Sequence, residues 1–326
     1  HKTPRYLGRY AALPNVVEKL VPAPGKAAWD QIRIPWEARR ARVDLLFHTK
    51  FTVPFAFGGK SVMTVHGASW FVHPELYSRI GIAYIRAVMP LYCRKADLIL
   101  ANSELTRQDF IRILKVPPDK IRTIRLGTNQ AFRPIADRAA REAARSDFAL
   151  PDRFILSVIK YDPRKNFKNL IAGFRRLRQR RPGVKLVVAG IGCEKYAAEY
   201  DLAGDGTLAD VTFLGWVDPA RLPLLYNLAD CMLFPSVYEE FGIPTCEAMA
   251  CGCPVVVSRT GALPEIAGAA GELVDPFDPE SIAAGLDRVL GDDARRAEMR
   301  RLGLDRAAAF TWRRCAEETR KALHDL

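Results

Sequence analysis

The chain has 326 residues, 49% of them hydrophobic and 26% charged, with a formal net charge of +12. That length is about twice the ~100–200 residues typical of one domain, and the composition is globular, so two domains are expected. No apolar run reaches the roughly 20 residues of a membrane span. Seven cysteines, with no paired C-x-x-C pattern and no His cluster near acids, exclude a disulfide framework and argue against a metal site. An odd cysteine count without a framework fits a reducing cytoplasm, and Cys251 and Cys253 are expected as buried thiols at a helix end.

The charge is unevenly divided: up to Leu150 there are 25 Lys and Arg against 12 Asp and Glu, net +13, and the remainder is net −1. A basic half suits a polyanionic partner. No recognised nucleic-acid module is present, so nucleic acid is not expected.

In chain order, the N-terminal half alternates strand-like and helix-like runs, with strands predicted at 44–48, 61–66, 97–101 and 121–125. His48 and His66 close two of these strands, where side chains can enter a cleft between domains. Residues 32–42 and 77–86 mix apolar and aromatic groups with cations. Each segment suits an anionic membrane surface, and each also suits an amphipathic helix with a solvated basic face. Residues 132–152, with Pro134, a run of Ala and Arg, and Pro151, are the expected linker.

From Asp152 on, strands are predicted at 154–159, 184–190, 211–214, 231–234 and 254–257, with helices from Asn166, near Glu194, from Pro219 and from Thr245. This is a doubly wound βα pattern. In the strand order 3-2-1-4-5-6 the first and fourth strands are neighbours, and ligands bind beyond their carboxyl ends. Topology therefore sets Arg164 and Lys165, in the loop after the first strand, beside the loop after the fourth, which carries Glu239.

That second loop is the most informative stretch. It places Glu239 on the loop and Glu247 in the first turn of the following helix, with Gly242 and Pro244 folding the chain between them. A nucleoside diphosphate sugar needs acceptors at both ends and donors in the middle. Glu247 suits the ribose and Glu239 the sugar, while the N–H groups of Phe241, Gly242 and Ile243 at a helix start suit the pyrophosphate. Arg164 and Lys165 would offset its charge. In isolation, Glu239 and Glu240 are equally consistent with solvated loop acids, and Arg164 and Lys165 with a solvated turn.

Together, Pro-Arg-Lys-Asn at 163–166, Leu-Gly-Trp-Val at 214–217, Phe-Pro-Ser at 234–236 and the spacing from Glu239 to Glu247 resemble the retaining GT-B glycosyltransferases of family 4 (group 1), including bacterial mannosyltransferase-like members. The resemblance extends to Thr-Val-His-Gly at 64–67, Asn-Ser-Glu-Leu-Thr-Arg at 102–107 and Phe-Thr-Trp at 310–312. It implies an α/β chain of two Rossmann-like doubly wound domains facing a cleft. The implied division is 1–149 on the acceptor side, 150–309 on the nucleotide-sugar side, and 310–326 as a helix crossing back to the first domain. Such proteins begin with a strand and a glycine-rich loop. This chain opens at His1-Lys-Thr-Pro, so its N-terminal domain is expected to lack both.

By the same resemblance Glu239 contacts donor hydroxyls, Glu247 holds the ribose, Arg164 and Lys165 hold the diphosphate, and the Val217 backbone meets the base. Gly190 and Thr245 complete the donor-binding set. His66 lies near the reacting sugar, and His48 is an acceptor-side candidate. The expected activity is metal-independent retaining transfer of a hexosyl group from a GDP-mannose-like or UDP sugar to a glycan or lipid-linked acceptor, without a cofactor. The expected location is cytoplasmic, peripheral to the inner face of the membrane. The alternative is a non-catalytic sugar-nucleotide-binding or scaffold protein of the same fold.

Overall fold

The structure, a computed structural model, describes residues 7–326. The expectation drawn from the chain's opening residues lies outside that range. Two compact units are present. The first comprises the chain up to Asn102, Thr106–Thr123 and Lys321–Leu326, and the second Ser103–Leu105 and Ile124–Arg320.

In the first unit four parallel strands, β1 (Leu45–His48), β2 (Lys60–Val65), β3 (Leu98–Ala101) and β4 (Ile121–Thr123), lie side by side in chain order. Parallel strands need a crossover between them. Helix Arg79–Lys95 supplies the one between β2 and β3, starting at Ser78, whose hydroxyl accepts from the Gly81 N–H at 3.2 Å. Ile82, Ile85, Met89 and Tyr92 recur at helical spacing and are buried, while Ile80 and Tyr84 on other faces are 85% and 55% exposed. The basic segment around residues 77–86 is therefore an amphipathic helix with an exposed aromatic and apolar fringe. The other, around residues 32–42, runs through helix Ile34–Arg40. There Trp36 is half-exposed, with the Arg33 and Arg40 guanidinium groups 5.0 and 5.6 Å from its ring.

The second unit holds six parallel strands: β5 (Ile155–Val158), β6 (Leu186–Ala189), β7 (Val211–Gly215), β8 (Cys231–Phe234), β9 (Val255–Ser258) and β10 (Gly271–Val274). Their spatial order is β10-β9-β8-β5-β6-β7. Counted within the unit this is the doubly wound order, and its first and fourth strands, β5 and β8, are hydrogen-bonded neighbours with Ile155 beside Cys231. Strands β6, β8 and β9 are buried along their whole length, as a sheet covered on both faces requires.

Residues 132–152 are not a linker. Asp137 caps a helix, Arg138–Asp147, by accepting from the Ala140 N–H at 3.0 Å, and Ala144 is buried against helix Leu222–Leu228. Arg221 locks this packing, pairing with Asp147 at 2.6 Å and lying 4.2 Å from the Phe148 ring. An Ala- and Arg-rich run has high helix propensity, and one small buried residue suffices for close approach. The break between units falls at 123/124, not at 149/150.

The C-terminal helix, Trp312–His324, begins in the second unit, and the last six residues belong to the first, where Asp325 pairs with Arg122 at 2.7 Å. All seven cysteines carry free thiols, six of them buried. Among the described residues no helix is long and apolar enough to cross a membrane.

Candidate functional site

The loops that leave β5 and β8 are laced together. Asn166 adopts a left-handed conformation (φ 58°), and its amide donates to the Pro235 carbonyl at 2.9 Å and to the Pro276 carbonyl at 2.6 Å. Asn tolerates this conformation better than most residues. The Val237 N–H donates to the Arg164 carbonyl at 2.9 Å. These bonds hold the short helical turn Pro163–Lys165 against the acidic loop.

Two cation–carboxylate pairs result. The Lys165 ammonium lies 2.5 Å from a Glu239 oxygen and 5.0 Å from the centre of the Phe234 ring, with both charged side chains largely buried. The Arg164 guanidinium donates twice to Asp162, at 3.1 and 2.8 Å, and approaches Glu240 at 4.0 Å. Burial alone would raise the Asp162 carboxyl. The Arg164 guanidinium and backbone N–H, with the Lys160 ammonium, outweigh it and hold the group well below the usual carboxylate range.

Glu239 is fixed from behind as well. Its carbonyl accepts from the Ala262 N–H at 2.8 Å, and a side chain at Gly261 (φ 68°) would come 2.7 Å from its nitrogen. Ser103 donates to the Glu240 carbonyl at 2.7 Å. Phe241 then packs edge-on to Phe310 at 5.8 Å, and Gly242 (φ 87°) turns the chain into helix Ile243–Ala250. That helix starts two residues earlier than Thr245, because Pro244 fits its opening turn. Glu247 consequently sits in the second turn, not the first. The first turn of a helix leaves N–H groups without intrahelical partners, and the buried hydroxyls of Ser236 and Thr245 beside it have no hydrogen-bond partner.

Glu247 accepts from the buried Tyr226 hydroxyl at 3.2 Å. Burial raises its carboxyl to about 7, with the Tyr226 bond opposing only part of the rise. Val217, just after β7, is buried beside the exposed Trp216. Gly190 donates to the Gly215 carbonyl at 2.7 Å, and a Cβ there would lie 2.1 Å from the Ile159 carbonyl oxygen, so only glycine lets the ends of β5 and β6 approach this closely.

Arg164, Lys165 and Glu239 are thus brought together, with Phe241, Gly242, Ile243 and Thr245 at the adjoining helix head and Glu247 deeper in the same helix. The other two predicted site residues lie in the first unit. His66 follows β2, is exposed, and its Nε2 is 2.9 Å from the Thr49 carbonyl. His48 closes β1 with its Nε2 buried and unpartnered. Burial lowers its basicity, and the nearby Asp30 opposes that.

Three residues escaped sequence reasoning. Asp162 orients Arg164, Tyr226 supports Glu247, and Glu265 accepts from the N–H groups of Glu104 at 2.9 Å and Leu105 at 3.3 Å and from Arg125 at 2.9 Å. Asp162, directly before Pro163, had a turn-capping signal. The other two had none, since their partners come from distant sequence.

Comparison with known proteins gives the family and the fold. The profile of the family Glycosyl transferases group 1 matches residues 140–305, and that of Glycosyltransferase Family 4 matches residues 2–132. The chain is 30% identical over 299 residues to the O-antigen chain mannosyltransferase B of Escherichia coli, covering 91% of this chain and 76% of that protein. It is 31% identical over 225 residues to the serotype-specific mannosyltransferase WbdA of Escherichia coli, covering 67% of this chain but only 27% of that larger protein. Among solved structures it resembles Anabaena HepE in complex with UDP and glucose, with a TM-score of 0.78 and 20% identity over 94% of this chain and 86% of that one. A profile that spans half of the chain, and a relative that matches nearly all of it, establish that the chain belongs to the group 1, family 4 glycosyltransferases of the GT-B fold.

Proposed function

We propose that the protein transfers a hexosyl group, with retention of configuration and without a metal, from a GDP-mannose-like or UDP sugar to a hydroxyl of a glycan or lipid-linked acceptor. The observation that carries this reading is the Lys165–Glu239 pair beside the start of helix Ile243–Ala250, whose first-turn N–H groups have no intrahelical partners. Such a helix start, with cations beside it, suits an anionic ligand. A diphosphate supplies acceptor oxygens for Lys165, Arg164 and the N–H groups of Phe241, Gly242 and Ile243. Glu239 then accepts from sugar hydroxyls, Glu247 from the ribose, and the Val217 backbone meets the base, with Gly190 and Thr245 lining the donor side.

With Glu239 assigned to holding the sugar hydroxyls, catalysis rests on positioning and electrostatics. The departing diphosphate takes the acceptor proton, helped by Arg164 and Lys165. Among the described residues no group of three or more His, Cys, Asp or Glu is placed to hold a metal ion. The mannosyltransferase names of the matched relatives support a mannose-type donor, and the UDP and glucose bound by HepE support a uridine one.

The basic first unit, with 21 Lys and Arg against 9 Asp and Glu, and its exposed Trp36 and Ile80, suit docking on the anionic inner face of the cytoplasmic membrane. Thermal-shift measurements with GDP, UDP and ADP sugars test the donor reading, since a ligand that binds the native state raises the Tm. No shift with any of them would refute it.

A further inference from the structure

The first unit contains a cavity of about 590 Å³, within the ~300–1,000 Å³ range of small-molecule sites, lined by none of the residues assigned above to the transfer. Trp70, Tyr77, Tyr84 and Tyr92 contribute to its wall, with Lys26 and Asp30 beside them. The aromatic groups are held in place. Trp70 and Tyr77 lie 6.4 Å apart, the Tyr77 hydroxyl is 2.6 Å from the Ser69 hydroxyl, and Tyr92 stacks on Phe55 at 5.2 Å. Burial pushes the Tyr92 phenol up to about 12, so it remains protonated and able to donate.

Asp30 is only 5% exposed, and among the described residues its ion-pair partner is Lys26, at 2.9 Å. An ionised carboxylate has about four acceptor sites, so one ammonium leaves acceptor capacity unused inside an aromatic wall. A hydrocarbon chain would leave that capacity unmet and desolvated, and a phosphate would be repelled by it. A pyranose ring matches both features. Its C–H faces stack on flat aromatic rings, and its hydroxyl rim donates to a carboxylate and accepts from an ammonium or phenol.

We infer that this cavity is a glycan-holding subsite, in which a pyranose residue of the acceptor stacks on Trp70 and Tyr84 and hydrogen-bonds Asp30. The inference rests on the reading of the protein as a transferase with a glycan acceptor and adds where that acceptor is gripped. Calorimetric titration of the full chain with linear trisaccharides of mannose, glucose and galactose, without nucleotide, tests it. At least one trisaccharide should bind, and Trp70→Ala and Tyr84→Ala should each weaken it on the order of tenfold, while binding of GDP or UDP is unchanged. Trp70 also packs on Phe51, so the half-exposed Tyr84 is the deciding position. Asp30→Asn should weaken binding as well.

Absence of trisaccharide binding by a parent that still binds nucleotide, or equal binding by Tyr84→Ala, overturns the inference. So does displacement of the sugar by 1-octanol with no loss of affinity in Asp30→Asn. Trisaccharide binding that persists in a parent unable to bind any nucleotide would instead overturn the donor reading and leave the subsite standing.

Discussion

The Lys165 ammonium and the Glu239 carboxylate, 74 residues apart in sequence, meet at 2.5 Å where the loops of β5 and β8 adjoin. Both partners are largely withdrawn from water, so each charge depends on the other. Lys165→Met strands a buried carboxylate and should cost about 3–5 kcal/mol, and adding Glu239→Leu should recover most of that loss. Neither variant should transfer sugar. Urea unfolding checks the energetics, and a single variant as stable as the parent would contradict the pairing.

Asp162 gives the site an acid limit. Its folded carboxyl is held far below the ordinary ~3.9, so its contribution to stability is fully present above that value and is lost as pH falls towards the folded value. Asp162→Asn should lower stability at neutral pH, flatten the decline below about pH 4, and weaken nucleotide binding by freeing Arg164. Urea midpoints across pH 2–7 report this. Parallel curves for parent and variant would exclude it.

Glu247 behaves in the opposite sense. Burial raises its carboxyl to about 7, so its contribution to stability is present below the ordinary ~4.3 and is lost as pH rises through about 7. The ionised form is the better acceptor for a ribose diol. Nucleotide affinity should therefore increase across pH 6–8 with a midpoint near 7, and Glu247→Gln should abolish that dependence. A midpoint unchanged in the variant would assign the titration elsewhere.

Membrane docking by the first unit should combine a salt-sensitive charge term with a salt-resistant apolar one. Surface electrostatics fade within about 8 Å at physiological ionic strength, whereas insertion of Trp36 does not depend on salt. Co-sedimentation with liposomes of graded anionic content across a salt series should show charge-dependent binding with a residual fraction that Trp36→Ala reduces. Equal partition to neutral and anionic liposomes, or none to either, would leave a soluble glycan as the acceptor.

Much of this site was legible in the sequence, because its strands are short, apolar and separated by strong punctuation. Residues 231–234 form β8 with the bounds expected, and the strand order 3-2-1-4-5-6 expected for the alternating elements of this half does set β5 against β8. Boundaries set by packing were not legible. The run at 138–147 has helical periodicity, but its apolar face is built of alanines alone, and it reads as part of a domain only once Asp137 caps it and Ala144 fits against its neighbour. The start of helix Ile243–Ala250 depends on Gly242 turning the chain with φ 87°, which moved Glu247 one turn inward. Glu265 remained invisible because its three partners, Glu104, Leu105 and Arg125, lie about 140 residues or more away in sequence.

The stereochemistry of one turnover gives the most direct test of retaining, metal-independent transfer. Proton NMR of the parent with the sugar nucleotide selected by thermal shift and an acceptor glycan, in the presence of EDTA, should show release of nucleoside diphosphate. The new anomeric signal should have the donor's own α configuration, and Lys165→Ala and Glu239→Gln should each slow its appearance by at least tenfold. Inverted product, dependence on added metal, or full activity in both variants would contradict it.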